Sequence, residues 1–342
     1  MKIYFIDRYD EVKPGDYKNH SGYEQVIKYA PDFIRVKGHA FVSNILFLFV
    51  KKSKPVNYIR LNLSKEFYAC IKAFITGCPV FYLYADKDAF LLPLIKKRLG
   101  LSRIKLFGTL HWPREISADF SLYKNDLASV FNGVIVLSSS LLSLPHSNPA
   151  LIPHGVDFTY WHNSQPHEHE NIYLVIGESN RNHQRQADVL HQLSMMDENA
   201  SFFLLMRNAE QYGCYKPVPR LQVLPHPVAD DELKKMYQRA KAVVLIQDYC
   251  LASNVVLECI AMCVPVIANN VGDIVDYLGV SYPLYINETD MKETLHQFCH
   301  TEELRNKTVH YMQSLQPRFN WQQIADTTVY FIENSVQPFN AG

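Results

Sequence analysis

Short apolar runs alternate along the chain with longer stretches in which apolar residues recur at helical spacing. Runs rich in Val, Ile, Phe and Tyr are typical of buried strands. Their alternation with amphipathic helices predicts parallel sheets rather than a sandwich or a bundle. The predicted strands are Lys2–Ile6, Phe33–Val36, Tyr58–Leu61, Val80–Tyr84, Lys105–Thr109 and Val134–Leu137 in the first half, and Ile172–Ile176, Phe202–Met206, Leu221–Leu224, Ala242–Ile246 and Pro265–Ala268 in the second.

Two such series of strands predict two doubly wound, Rossmann-like α/β domains, and a length of 342 residues agrees with two domains. Between the two series, the stretch DFTYWHNSQPHEHE is polar and aperiodic, which indicates a linker. The predicted division is 1–156 for the N-terminal domain, 157–170 for the linker, 171–316 for the C-terminal domain and 317–342 for a terminal segment.

The terminal segment predicts an amphipathic helix from Arg318 to Glu333, because Trp321, Ile324, Thr328 and Phe331 recur at helical intervals.

The linker contains three histidines, which raises the question of a metal site. No carboxylate or Cys completes a ligand set at a familiar spacing, so we favour a solvated linker over a metal site. The three are His162, His167 and His169.

The charge balance, the cysteines and the apolar stretches argue against several classes of protein but do not identify a function. Lys plus Arg and Asp plus Glu each number 34, so no global field draws the chain to nucleic acid. Seven irregularly spaced Cys do not predict a disulfide framework. The opening MKIYFIDRYD is unlike a signal peptide, and the longest apolar stretch is shorter than the ~20 residues of a membrane-spanning helix. We expect a soluble cytoplasmic protein.

The segment from Val243 to Gly279 predicts a strand, a loop, a helix, a second strand and a glycine turn. The helix should begin at Ser253 or Asn254, both good N-cap residues. Free N–H groups at Ser253, Asn254 and Val255 would then face the carboxyl edge of a parallel sheet, together with the positive end of the helix dipole. A diphosphate is the ligand that such a place suits.

Glu258 lies one turn into this helix on an otherwise apolar face. A carboxylate accepts two hydrogen bonds from a vicinal diol, so the ribose beside a diphosphate is its predicted partner. The alternative is a Glu that stabilises the first helical turn.

This pattern resembles the GT-B glycosyltransferases, and within them the retaining family 4. That family has one acid, seven intervening residues, a second acid, a Pro-Val strand and a glycine turn. Glu258, Pro265–Ala268 and Gly272 match the second half of the pattern, whereas Cys250 stands where the first acid contacts the donor sugar. Asp248 is a candidate substitute. The resemblance implies two Rossmann-like domains that face each other across a cleft.

Other stretches match the family in order along the chain. The strand Ile172–Ile176 is followed by Gly177 and by Arg181 and Arg185, the candidates for holding the phosphates. His226 and Val228 correspond to the loop that borders the nucleobase.

In the first domain, the resemblance places His111 near the donor sugar and Gly22 near the phosphate and acceptor. A structural or capped His is the alternative for His111. The segment from Ile152 to Asp157 resembles the family's crossover between domains, and the terminal helix would cross back to the N-terminal domain.

The resemblance implies that a sugar moves from a nucleoside diphosphate donor to a hydroxyl of a glycan or lipid-linked acceptor, with retention, in cell-surface polysaccharide assembly. Neither a cofactor nor a bound metal is expected, and Tyr84-Ala85-Asp86-Lys87-Asp88 is the nearest imitation of an acidic metal motif. Either Arg181 or Arg185, together with the first-turn amides, would stabilise the leaving diphosphate, and His111 would orient the sugar.

Two alternatives remain open: a catalytically silent GT-B protein that binds a sugar nucleotide as partner or regulator, and a nucleotide-sugar epimerase.

The basic cluster Lys96-Lys97-Arg98, with Arg103 and Lys105, either rests on the inner face of an anionic membrane or is the solvated face of an amphipathic helix.

Overall fold

The computed structural model describes residues 1–8, 20–50, 58–112, 118–124, 126–143, 148–206, 213–225, 227–287 and 289–336. The chain divides into two compact units. Unit 1 comprises Met1–Tyr17, Tyr23–His154 and Trp321–Gly342, and unit 2 comprises Lys18–Gly22 and Gly155–Asn320.

Unit 1 contains a six-stranded sheet that is parallel throughout, in the order β2-β1-β3-β4-β5-β6. The central strands are apolar and buried along their whole length, as expected when helices cover both faces of a parallel sheet. The strands are β1 Ile3–Ile6, β2 Phe33–Arg35, β3 Val80–Tyr82, β4 Leu106–Leu110, β5 Gly133–Val136 and β6 Pro149–Leu151.

The helices of unit 1 connect these strands and pack on the sheet. Short 3₁₀ helices lie at Tyr23–Gln25, Ala128–Val130 and Ser139–Ser143. The α-helices are α1 Val26–Tyr29, α2 Ala40–Val50, α3 Asn62–Thr76, α4 Ala85–Asp88, α5 Leu91–Leu99, α6 Ser121–Lys124 and, at the end of the chain, α13 Trp321–Val336.

Unit 2 contains a five-stranded parallel sheet in the order β11-β10-β7-β8-β9. Its strands are β7 Ile172–Ile176, β8 Ser201–Met206, β9 Leu221–Pro225, β10 Ala242–Leu245 and β11 Val266–Ala268. Its α-helices are α7 His183–Met196, α8 Asp230–Arg239, α9 Asn254–Met262, α10 Ile274–Leu278, α11 Met291–His300 and α12 Glu302–Leu315, followed by a 3₁₀ turn at Gln316–Phe319.

The predicted fold class is confirmed, because both sheets are parallel and are connected through helices in the Rossmann manner. One predicted strand is wrong. Tyr58–Leu61 forms the turn before α3. There the Tyr58 hydroxyl donates to the buried Glu66 carboxylate, and the Leu61 carbonyl accepts from the hydroxyls of Ser43 and Ser64. The sixth strand is Pro149–Leu151, which the pattern did not predict.

The terminal helix begins at Trp321 and buries Trp321, Ile324 and Thr328, three of the four residues predicted for its apolar face. The fourth, Phe331, is partly buried and packs its ring edge-on against Phe107. Residues 157–170 have no helix or strand. No helix in the described part of the chain is long and apolar enough to cross a membrane.

Candidate functional site

The carboxyl edge of β7 in unit 2 ends in a tight turn built on a glycine. Gly177 follows the strand with φ +82°, a conformation that side chains rarely adopt. A Cβ at this position would lie 3.2 Å from Nη2 of Arg181, so the glycine leaves room for that guanidinium. The turn ends at Asn182, whose side chain caps α7 by accepting from the Arg185 backbone N–H.

Arg181 points inward at this edge and donates only to main-chain carbonyls. Its Nη1 and Nη2 each lie 3.1 Å from a carbonyl oxygen, those of Ser179 and Ile176 respectively. Its buried Nε has no hydrogen-bond partner, and no ion pair to Arg181 occurs within the described ranges. Burial lowers its pKa to about 10, so the side chain still carries its charge at neutral pH. Arg181 is partly buried, and a partly buried cation without a counter-ion among the described residues favours an anionic ligand.

The N-terminus of α9 lies beyond the neighbouring strand β10. The helix begins at Asn254 with Ser253 as its N-cap, which confirms the predicted helix start. The Ser253 side chain makes no capping hydrogen bond. The N–H groups of the first turn, including those of Asn254 and Val255, have no partner within the helix. Together with the positive end of the helix dipole, these N–H groups are donors of the kind that suits an anion.

Cys250 connects these two elements. Its thiol is buried and interacts electrostatically with Arg181. Burial raises the thiol pKa to about 12, the charge of Asp273 adds to the increase, and the Ser253 N–H opposes it. Position 250 therefore presents a neutral group at physiological pH.

Glu258 is buried and already accepts two hydroxyl hydrogen bonds. Oε1 lies 2.5 Å from Ser21 Oγ and Oε2 lies 2.7 Å from the Tyr237 hydroxyl oxygen. Burial raises the carboxyl pKa to about 7, and the two hydroxyls oppose the increase. Tyr237 also interacts electrostatically with Arg181, so Glu258 belongs to the same neighbourhood as the guanidinium.

Ser21 is a member of this site that sequence reasoning missed. It belongs to the short segment Lys18–Gly22, which packs with unit 2 although it lies far away in sequence. Its hydroxyl accepts from Trp161 Nε1 at 2.9 Å while it donates to Glu258. The neighbouring His20 stacks on Tyr160 with ring centroids 3.5 Å apart. In the sequence around Gly22, only a glycine and a short polar side chain stand out, and neither predicts a contact with Glu258.

The other predicted donor residues are more dispersed. Asp248 is exposed and accepts from Asn182 Nδ2 at 2.8 Å. Val228 lines an apolar cavity of about 380 Å³ beside β7, β8 and α8. Arg185 is partly exposed in the first turn of α7, and Gly22 is buried. His226 lies outside the described residues.

His111 follows β4 at the carboxyl edge of the unit 1 sheet. Its ring stacks on Tyr84 at 4.2 Å and meets Tyr23 edge-on at 5.0 Å. Both ring nitrogens are buried, and neither has a hydrogen-bond partner among the described residues. Burial lowers its pKa well below the usual value, and the nearby His154 and Lys87 add to the effect, so the ring is neutral.

The acidic stretch before His111 has a structural role. Asp86 Oδ2 accepts from the backbone N–H groups of His111 and Trp112, both at 2.9 Å. Asp88 pairs with Arg8 at 3.1 Å. Asp86 thus positions the backbone that carries His111. Among the residues that the structure describes, no group of three His, Cys, Asp or Glu could hold a metal ion.

Four of the predicted residues lie in one neighbourhood of unit 2: Gly177, Arg181, Cys250 and Glu258. Val228 lies beside the apolar cavity instead. An anion and a hydroxyl-bearing group are the ligands that this arrangement can hold.

Comparison with solved structures identifies the fold. A glycosyltransferase from Rickettsia africae matches with a TM-score of 0.61 at 12% identity, over 98% of each chain. The Anabaena HepE protein, solved with UDP, matches with a TM-score of 0.64 at 14% identity, over 98% of this chain and 100% of that one. Sucrose-phosphate synthase from Thermosynechococcus elongatus matches with a TM-score of 0.61 at 15% identity, over 97% and 88%.

The chain therefore has the GT-B fold, as the motifs indicated. No protein-family model matches the sequence. No curated protein matches it either.

Proposed function

We propose that the chain is a glycosyltransferase that uses a nucleoside diphosphate sugar and binds the donor's nucleotide in unit 2. The observation that carries the proposal is Arg181, a partly buried guanidinium beside the β7 glycine turn with no carboxylate partner in the described part of the chain. A diphosphate supplies the missing negative charge and accepts the rigid fork of the guanidinium. Arg185 and the first-turn amides of α9 would add further donors.

Glu258 is proposed to bind the ribose. Each of its oxygens accepts one hydroxyl and retains a further lone pair, so a diol can be added to the present hydrogen bonds. The base would lie near Val228 and His226, as the resemblance implies. His111 is the residue of unit 1 that we propose to orient the transferred sugar, because neither nitrogen of its neutral ring has a hydrogen-bond partner in the described ranges.

The finer proposal is retention of configuration, with a glycan or lipid-linked acceptor in cell-surface polysaccharide assembly. The family resemblance supports it. During transfer, negative charge develops on the leaving diphosphate, and Arg181 would stabilise that charge electrostatically in a site of low polarity. No protein nucleophile is assigned.

The test is calorimetric titration with nucleoside diphosphates, starting with UDP because HepE was solved with UDP. Arg181→Ala should weaken binding about 30-fold or more, since a charged hydrogen bond contributes about 2 kcal/mol. Glu258→Ala should weaken binding about tenfold. Arg98→Ala, which removes an exposed arginine of unit 1, is the matched control and should leave affinity unchanged. Equal affinity of all four proteins would reject the site.

Cys250 favours a second candidate, a silent GT-B protein that binds the sugar nucleotide without transfer. Its neutral buried thiol cannot contact a sugar as a carboxylate does. Incubation with a panel of sugar nucleotides and cell-derived acceptors separates the candidates. Release of nucleoside diphosphate supports the transferase, binding without turnover supports the silent protein, and an epimerised sugar supports the epimerase.

A further inference from the structure

Helix α2 (Ala40–Val50) presents large apolar side chains to solvent. The exposed fractions are 67% for Phe41, 43% for Ile45, 74% for Leu48 and 82% for Phe49. These positions are spaced i, i+4, i+7 and i+8, so they share one face of the helix. Single exposed apolar residues are ordinary, but four on one helical face mark an interaction surface.

The opposite face of α2 explains how the helix is held. Ser43 is the one buried residue of the helix, and its hydroxyl donates to the Leu61 carbonyl at 3.1 Å and to Ser64 Oγ at 2.7 Å. Leu46, Phe47 and Val50 are partly buried against the core of unit 1. The helix is therefore largely apolar and is anchored on one side, which leaves the outward face exposed in the part of the chain that the structure describes.

The charges around α2 indicate what covers the outward face. From Phe33 to Lys65 the sequence contains no Asp or Glu and seven Lys or Arg. Arg35 and Lys65 both pair with the single carboxylate of Asp7. Lys37 and Arg60 are exposed, and Arg60 lies over the Phe47 ring at 4.1 Å. The sequence continues directly after the helix with Lys51, Lys52 and Lys54.

We propose that the outward face of α2 docks on an anionic membrane surface, with Phe41, Ile45, Leu48 and Phe49 inserted at the level of the lipid headgroups. Apolar side chains flanked by basic residues are the features of an interfacial helix, in which burial of apolar area and attraction to anionic lipid act together. Eleven residues span about 16 Å, too short to cross a bilayer, so the helix would lie in the plane of the interface.

The basic cluster on α5, the site at which the sequence suggested a membrane contact, fits this role less well. Lys96 Nζ donates to the Val130 carbonyl and to Asn132 Oδ1, and burial lowers its pKa to about 8. Lys97 pairs with Asp126. Two of the three consecutive basic residues are thus engaged within unit 1.

Vesicle co-sedimentation tests the proposal without any sugar nucleotide, so its outcome is independent of the proposed function. Vesicles of phosphatidylcholine with about 30% phosphatidylglycerol should bind the protein, and pure phosphatidylcholine should bind it more weakly. The double variant Leu48→Gln/Phe49→Gln should bind at least about tenfold more weakly, because two large side chains no longer insert. Arg60→Glu should weaken binding to the anionic vesicles only.

The matched control is Met195→Gln/Val280→Gln, which alters two apolar residues of unit 2 that are 69% and 84% exposed. It should bind vesicles like the unaltered protein. An unchanged thermal midpoint establishes that the α2 variant is folded. Vesicle binding that survives in the α2 variant overturns the proposal. So does a lipid-free dimer, seen by sedimentation, that the α2 variant abolishes, because a second copy would then cover the face.

Discussion

Glu258 is a buried carboxyl group with a pKa of about 7, whereas a Glu in an unfolded chain has a pKa of about 4.3. Between these values the folded protein keeps the proton and the unfolded chain loses it. Unfolding therefore releases a proton, and this group's contribution makes the folded state less stable as the pH rises through that range.

Glu258→Gln removes this titration. We expect the free energy of unfolding of the variant, relative to the unaltered protein, to rise between pH 5 and pH 8 by up to about 3 kcal/mol. Urea unfolding at a series of pH values measures it. Glu303→Gln, at an exposed position in α12, is the control and should give a difference that does not change with pH. A constant difference for Glu258→Gln as well would mean that the carboxyl group is not held protonated.

Residue types and their spacing predicted the candidate residues, but not their contacts. Glu258 was identified from its place in α9, whereas its hydrogen bond to Ser21 joins residues 237 positions apart. Asp86 was noted as part of a weak metal-like motif. Its actual contacts are backbone N–H groups 25 and 26 residues later. Such contacts depend on tertiary packing, which leaves no periodic signal in the sequence.

At the scale of elements, the turn after β11 is held close to the Cys250 loop. Gly272 has φ +57°, and a Cβ there would lie 2.6 Å from the Cys250 carbonyl oxygen and 2.8 Å from its nitrogen. Both atoms belong to the main chain, so they cannot move aside as a flexible side chain would. The Asp273 N–H donates to the same carbonyl at 3.1 Å, which fixes the approach of the two loops.

Gly272→Ala should therefore lower the free energy of unfolding by more than about 2 kcal/mol and weaken nucleoside diphosphate binding. Gly77→Ala is the control, because Gly77 also has a positive φ, +74°, but nothing lies within 4 Å of its Cβ position. It should cost only about 1 kcal/mol, the strain of the left-handed conformation. Urea unfolding of both variants measures the two free energies of unfolding. Equal decreases would show that the close approach to Cys250 does not make Gly272 more sensitive than Gly77.

Ten of the predicted strands are found because each is a largely apolar run, as expected of a strand in a parallel sheet that helices cover on both faces. Tyr58–Leu61 has the same local composition, but its tyrosine hydroxyl and its carbonyls bond to α2 and α3 instead of a neighbouring strand. Pro149–Leu151 was missed because an edge strand is short and only partly buried, and here it begins with a proline. Local pattern does not distinguish these cases.

At the scale of the whole molecule, each unit has its own hydrophobic core. One core cluster lies wholly among residues of unit 2, from Val156 to Phe319, and the other lies in unit 1, from Tyr4 to Leu141. The alternation of strands and helices predicted this architecture, since each series of strands can bury its own sheet. That His20, Ser21 and Gly22 belong to unit 2 could not be predicted, because these three residues add no strand or helix to the pattern.

Separate cores predict where a bound nucleotide stabilises the protein. A ligand that binds only the folded form stabilises it by about 2.7 kcal/mol at a concentration of 100 times Kd, which is about a 100-fold slowing of exchange through unfolding. With UDP, or the diphosphate that calorimetry selects, amide hydrogen exchange followed by mass spectrometry should slow in peptides from β7, β10 and α9. Peptides from β3 and β4 should show less slowing.

Arg181→Ala is the control, because at the same nucleotide concentration it should show much less slowing in unit 2. Slowing that is confined to β3 and β4 would place the nucleotide in unit 1 and exclude the Arg181 site. Slowing of unit 2 that persists in Arg181→Ala would keep the nucleotide in unit 2 but remove the guanidinium from its binding. The first result would show that the nucleotide binds to the other unit, and the second would show that it binds to unit 2 without Arg181.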